Sequence, residues 1–185
     1  MLIPVLGMDP SLTNWGLAEA NLCLKTGVLS TPQLTLVQPD ELQGKQVRVN
    51  SNDLHRSEQL AQRVFATARK AKVIFVEVPV GSQSARAMAS YGICVGILGA
   101  LRSEGMQIIE VTAGETKKIF TGDKNAPKRK MIDRAAELYP DANFPPLHKG
   151  KLPDKTEHLA DAIATIHSGV RTPMFQNLMR LFNEV

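Results

Sequence analysis

Four side chains in this 185-residue chain have the types and placements that divalent-cation chemistry uses. Asp9 closes the apolar run "LIPVLGMD" and is followed at once by the turn residues Pro10-Ser11-Leu12-Thr13. Glu77 closes a second apolar run, "KVIFVE", and His158 and Asp161 stand three positions apart in "TEHLADAIATIHSG". That spacing puts both on one face of a helix. An ionised carboxylate taken out of water costs several kcal/mol or more unless something compensates it. Two strand-end carboxylates side by side also repel, and a divalent cation is a common remedy. A hard ion such as Mg²⁺ takes one or two carboxylates and completes its shell with water and substrate phosphate. Two such ions about 3.5–4 Å apart stabilise the attacking and leaving oxygens of an in-line phosphoryl displacement.

Each residue alone has a plainer explanation. Asp9 could accept backbone hydrogen bonds from Ser11-Leu12-Thr13 in an Asx-type turn. Glu77 could pair with a lysine at its strand end, and His158 could be a surface or satisfied histidine. Asp161 is the hardest to explain in this way, because its neighbours in "HLADAIATI" face the core. Glu157 is a further candidate ligand, but Asp154 followed three positions later by Glu157 has capping-box spacing, which predicts that Glu157 caps the helix.

The elements that must position these groups follow from hydrophobic periodicity and turn residues. Ile3–Met8, Trp15–Leu24 and Gln33–Val37 read as a three-strand meander, with Thr13-Asn14 and Lys25-Thr26-Gly27 as turns. The spacing predicts an amphipathic helix over Asp53–Ala71, a fourth strand in "KVIFVEVP" and a fifth in "MQIIEVT". Between these two strands, Ser84–Glu104 reads as an apolar helix with Gly92, Gly96 and Gly99 on one face. Mid-helix glycines cost about 1 kcal/mol each, so the stripe predicts close approach of another backbone, either the sheet beneath or a second subunit. Gly114–Phe120, Lys128–Leu138 and Thr156–Gly169 read as further helices, and Met174–Phe182 as a tail helix that packs Phe175, Leu178 and Phe182 onto the body. The order predicts an α/β fold in which a central five-stranded mixed sheet is flanked by helices, with strands one and four as neighbours.

Composition narrows the partners. The net charge is +4, and the window Glu115–Lys130 holds Lys117, Lys118, Lys124, Lys128, Arg129 and Lys130 against only Glu115 and Asp123, an excess equal to the whole surplus. Such a patch suggests a polyanion, although a solvated helix face would look the same. Cys23 and Cys94 lie in apolar surroundings without metal-site or disulfide spacing, as expected for two core residues in a reducing compartment. No apolar stretch has membrane-span length, and the N-terminus lacks the basic region of a secretory signal, so the expectation is a soluble, cytoplasmic, one-domain protein.

Three segments together resemble RuvC-type Holliday junction resolvases: "GMDPSLTNWGLA", "VIFVEVPVGSQSARAMASYGICVGILGAL" and "TEHLADAIATIHS". The likeness runs from about Leu2 to Ser168, and leaves residues 170–185 as a helical tail outside it. It implies a ribonuclease H-like fold, a homodimer, and Mg²⁺-dependent paired nicking of opposed strands in four-way DNA junctions, with Mn²⁺ able to substitute. It further implies that Asp9, Glu77, His158 and Asp161 form the metal-binding catalytic set, and that Lys117 and Lys128 stand where the family carries active-site lysines. Some members have an aromatic residue three positions after the glutamate, for base stacking, where this chain has Val80. Residues 26–52 diverge as well, which suits a phage or prophage member acting in a bacterial or phage-infected host cytoplasm. Other ribonuclease H-like nucleases, cutting generic branched DNA or RNA–DNA hybrids, would share the metal site. An actin-like ATPase fits poorly, because Pro10 stands where its phosphate motif would carry glycine and a second glycine-rich phosphate loop is missing. A junction-binding protein that does not cut would have little use for four metal-binding side chains.

Overall fold

The computed structural model describes residues 1–183, with side-chain surroundings up to Arg180, so the expected packing of Phe182 lies outside the described residues. Strands β1 (Leu2–Asp9), β2 (Trp15–Cys23) and β3 (Gln33–Val37) form the meander; β4 (Val73–Glu77) and β5 (Ile108–Val111) complete a five-stranded sheet of order β3-β2-β1-β4-β5. β1 pairs antiparallel with β2 and parallel with β4, so the sheet is mixed and strands one and four are neighbours. Helices flank it: α1 (Val49–Ala68), α2 (Ala85–Ser103), α3 (Ala113–Thr121), α4 (Lys128–Leu138), α5 (Glu157–Gly169) and α6 (Pro173–Asn183).

Strand periodicity divides the helices between two faces. Successive side chains of a strand point to opposite sides. Leu6 and Met8 of β1, Leu17 of β2, and Ile74 and Val76 of β4 pack in one cluster with Leu60 and Val64 of α1 and Cys94 and Leu101 of α2. The alternate residues Val5, Ala18, Ala20, Val73 and Phe75 pack in the other, with Phe120 of α3, Met131 and Ile132 of α4, Ile163 and Ile166 of α5, and Phe175 of α6. By the same parity Asp9 and Glu77 lie on the α5 side. Phe175 makes an edge-on contact with Phe75, ring centroids 5.4 Å apart, so the tail helix is seated on the core as expected.

α5 lies unusually close to the sheet. A methyl on Gly7 would stand 1.9 Å from the Ala162 carbonyl oxygen, and one on Gly16 would stand 2.0 Å from that of His158. Gly16 is the register partner of Asp9. These two glycines therefore form sockets for the helix backbone, and the first turn of α5 rests over the end of β1. Farther along, the Thr165 hydroxyl donates to the Phe75 carbonyl at 3.2 Å, a second backbone-level tie.

Three expectations are corrected. α1 starts at Val49 rather than Asp53, since Asp53 is no helix start but is buried and grips both terminal nitrogens of Arg86 in α2, and it ends at Ala68 rather than Ala71, where the Lys70 and Ala71 N–H groups turn to the Thr67 and Ala68 carbonyls three residues back. The glycine stripe of α2 meets nothing among the described residues. Gly92, Gly96 and Gly99 are exposed, with no heavy atom within 4 Å of the point where a methyl would stand, so the sheet is not what they approach. Cys94 is fully buried as expected, whereas Cys23 is only half-buried at the end of β2. Among the described residues no helix is long and apolar enough to cross a membrane.

Candidate functional site

The parallel register pairs Met8 with Val76, which sets Asp9 and Glu77 side by side at the carboxyl ends of adjacent strands. α5 brings the other two residues down onto them. His158 Nδ1 lies 2.6 Å from Asp9 Oδ2, and Asp161, one turn on, feels the charges of both Asp9 and Glu77. Asp9 and His158 are 149 positions apart along the chain, yet they converge with Glu77 and Asp161 on one ledge.

The electrostatics of this ledge are costly. Burial, then the charges of Asp9, Glu77 and Glu157, push the Asp161 carboxyl up to about 8, against the opposing pull of Lys117. Burial, then the charge of Asp9, pushes Glu77 up to about 7, again opposed by Lys117. Burial alone would lower the His158 imidazole, but the Asp9 hydrogen bond and the charges of Asp9, Glu157 and Asp161 outweigh it and hold it above its ordinary value. Crowded, partly desolvated carboxylates that favour the neutral form call for positive charge. Oxygen donors plus one imidazole suit Mg²⁺ or Mn²⁺.

Among the described residues no three His, Cys, Asp or Glu side chains close into an ion cage, and Asp9 and His158 face each other. The hydrogen bond engages Asp9 Oδ2 alone, and Glu77 makes no ion pair among the described residues. The donor set therefore fits a cation by its chemistry. The Asp9 carboxylate is held by His158 rather than by the Ser11–Thr13 turn, where Thr13 N–H is bonded to Ser11 Oγ at 3.4 Å, whereas Glu77 does feel a lysine, Lys117, without a direct ion pair among the described residues.

Glu157 is also corrected. α5 is preceded by a 3₁₀ turn, Asp154–Thr156, and no side chain caps it. Asp154 instead accepts from Arg129 at 2.9 Å, and Glu157 accepts from Lys128 Nζ at 2.7 Å with His158 Nε2 3.8 Å away. The capping-box spacing failed because the 3₁₀ turn takes up the positions at which a cap would act. Glu157 lies four positions before Asp161, on the same helical face, and so belongs to the ledge.

The six basic residues divide into groups. Lys117 of α3 reaches Glu77 and Asp161 electrostatically, and Lys128 is tied to the ledge through Glu157. Lys118 and Lys124 are exposed. Arg129 pairs with Asp154, and Lys130 with Asp123 at 3.3 Å, so these two also have internal structural roles. Val80, beyond the end of β4, is 93% exposed. Sequence reasoning missed Gly7 and Gly16. A glycine inside an apolar strand signals close backbone approach, and both positions carried that signal.

No protein-family model matches the chain, and no curated relative does. Solved structures do. The chain is similar to Thermus thermophilus RuvC in complex with Holliday junction substrate, with 18% identity over 90% of this chain and 92% of that one and a TM-score of 0.62. It is also similar to another Thermus thermophilus RuvC structure, with 18% identity, coverage of 96% and 97% and a TM-score of 0.59. The fold is accordingly that of RuvC, ribonuclease H-like, spanning nearly the whole of both chains.

Proposed function

We propose that this chain is a divalent-cation-dependent, structure-selective endonuclease that resolves four-way DNA junctions by paired nicks in opposed strands, working as a homodimer in a bacterial or phage-infected host cytoplasm. The observation that carries the reading is the convergence of Asp9, Glu77, Asp161 and His158 on one ledge of a RuvC fold. Among the comparisons, one RuvC is itself bound to a Holliday junction substrate.

In this reading Asp9, Glu77, Asp161 and His158 hold the cation or pair of cations. When bound, Mg²⁺ or Mn²⁺ supplies charge neutralisation and Lewis acidity toward a phosphate oxygen. The protein's own residues position the substrate and balance its charge. Lys117 meets the scissile phosphate or a neighbour, a role supported by its reach to both half-buried carboxylates. Lys128 is held ready by Glu157 and contributes a second phosphate contact. Lys118 and Lys124 continue the positive track along the DNA, with Arg129 and Lys130 at its edge. The dimer is supported by the exposed glycine stripe of α2, which faces nothing among the described residues.

The test is incubation of the protein with labelled four-way junction, linear duplex and RNA–DNA hybrid in Mg²⁺ or Mn²⁺, beside an Asp9→Asn control. Symmetric cleavage of the junction alone is expected. Equal cutting of the hybrid would move the assignment to another ribonuclease H-like nuclease, and binding without cutting in either metal would end the enzymatic reading.

A further inference from the structure

Between α4 and α5 the chain makes an excursion that the site described above does not use. Residues 145–153 run Pro-Pro-Leu-His-Lys-Gly-Lys-Leu-Pro, and at their centre His148 and Lys151 exchange both backbone hydrogen bonds, at 2.8 and 3.1 Å. The two residues between them, Lys149 at φ 51° and Gly150 at φ 74°, both have positive φ. That is the signature of a two-residue hairpin turn of type I′. The tip is therefore a formed finger, stiffened by Pro145-Pro146 on entry and Pro153 on exit. Leu147, His148, Lys149, Gly150 and Lys151 are all exposed, and neither lysine makes an ion pair among the described residues.

The root of the finger is fastened on three sides. The Arg129 guanidinium donates to the Leu152 carbonyl at 2.9 Å and to Asp154. Asn143, on the entry side, forms two hydrogen bonds with the Leu34 backbone of edge strand β3, at 2.7 and 2.9 Å. Lys155 donates to Gln38, which in turn bonds Asn14 in the β1–β2 turn. The exit segment runs within a few residues into Glu157 and His158, and Arg129 at the finger's root adjoins Lys128, which holds Glu157. A preorganised, unpaired dibasic tip, rooted a few residues before the ledge, suits a second stretch of phosphate backbone.

We propose that the His148–Lys151 finger is a separate DNA-binding element, in which Lys149 and Lys151 contact the phosphate backbone of a junction arm away from the scissile phosphate. This rests on the nuclease reading above and adds to it a site outside the Glu115–Lys130 window. A basic side chain on a phosphate leaves a measurable mark, because each such contact contributes about 0.9 to the slope of log K against log salt concentration.

The experiment is fluorescence anisotropy of a labelled four-way junction titrated with the full chain in metal-free buffer across a series of salt concentrations. The probe variant is Lys149→Asn with Lys151→Gln, since asparagine keeps the positive-φ turn while both charges are lost. Its salt slope should be shallower by about 2, with affinity at low salt lower by on the order of tenfold or more. The single Lys151→Gln, which leaves the turn residues intact, should lose about half as much slope, and Lys149→Arg with Lys151→Arg should keep the parental slope. A double variant with parental slope and affinity, or an arginine variant that loses both, would overturn the finger while leaving the nuclease reading in place. A parent chain that binds no junction at all would take down both.

Discussion

Asp161 and Glu77 sit where a carboxyl favours its proton, and the sign of that preference makes the functional reading testable without catalysis. Each has a folded-state pKa above its ordinary value, so across the window from about 4 up to about 7 for Glu77 and about 8 for Asp161 the folded chain holds more protons than the unfolded one. Their contribution to stability therefore falls as pH rises through that window. Asp161→Asn should then raise the melting temperature in metal-free buffer at pH 7.5, by the equivalent of about 1–3 kcal/mol, while cleavage drops by about 10³-fold or more. Millimolar Mg²⁺ or Mn²⁺ should stabilise the parent and not this variant, which differential scanning fluorimetry would show. An unchanged metal response in Asp161→Asn would exclude the residue from the cation site. His158 carries the opposite proton logic, because an imidazole binds metal only when neutral. The carboxylates around it raise its pKa, so cation affinity should already be declining as pH is lowered toward the ordinary 6.5. His158→Asp should lessen that decline, leaving the part set by protonation of Glu77 and Asp161, and lower the Mn²⁺-to-Mg²⁺ activity ratio, since an imidazole favours the softer ion.

At the level of elements the site depends on how closely α5 can approach β1 and β2. Gly7→Ala and Gly16→Ala each place a methyl about 2 Å from an α5 carbonyl oxygen. Each should destabilise the fold by roughly 3 kcal/mol or more, as overpacking does when backbone must shift. Chemical denaturation would measure this, and a change below about 1 kcal/mol would mean that α5 is not seated on those sockets. This packing explains which parts of the design were legible in the sequence. The strand-end carboxylates stood out because a charge closing an apolar run is anomalous in one dimension, and alternation then fixes their face. The i, i+3 pair on α5 was visible for a similar reason. The hydrogen bond between Asp9 and His158, 149 positions apart, has no local trace, and Glu157 was misread because a local capping motif competed with a long-range partner, Lys128. His167, farther along α5, carries a prediction of its own. It is packed against Phe120 and Tyr139, with its Nε2 2.7 Å from the Tyr139 hydroxyl, and burial, then Arg171 and Arg134, push it down to about 4. The unfolded chain binds the extra proton between pH 6.5 and 4, so this group's stability is lost as pH falls through that range, by roughly 2–3 kcal/mol. His167→Gln should flatten the acid limb of the stability profile, as pH-dependent denaturant midpoints would reveal.

For the whole molecule the unexplained feature is a helix that spends stability within its own chain. Gly92, Gly96 and Gly99 stand in the middle of α2, each costing about 1 kcal/mol of helix propensity relative to alanine. All three are exposed, with open space where a side chain would be. Met88 and Val95, nearly half exposed, share the helix with them. Small residues let two backbones approach closely, and in the proposed dimer that contact would offset the propensity lost in each chain. The two ideas separate by substitution. If the glycines serve a partner, Gly96→Ala should raise the unfolding free energy of the isolated chain by about 1 kcal/mol yet weaken self-association. Gly96→Glu, equally harmless to the monomer's packing, should abolish association in analytical ultracentrifugation. The same variant should still nick a junction but no longer produce coupled nicks in opposed strands, because one active site would then act without its mate. A chain that sediments as a monomer before and after either change, and cuts both strands in a coupled fashion nevertheless, would show that the stripe has another purpose and that pairing of nicks does not require a dimer.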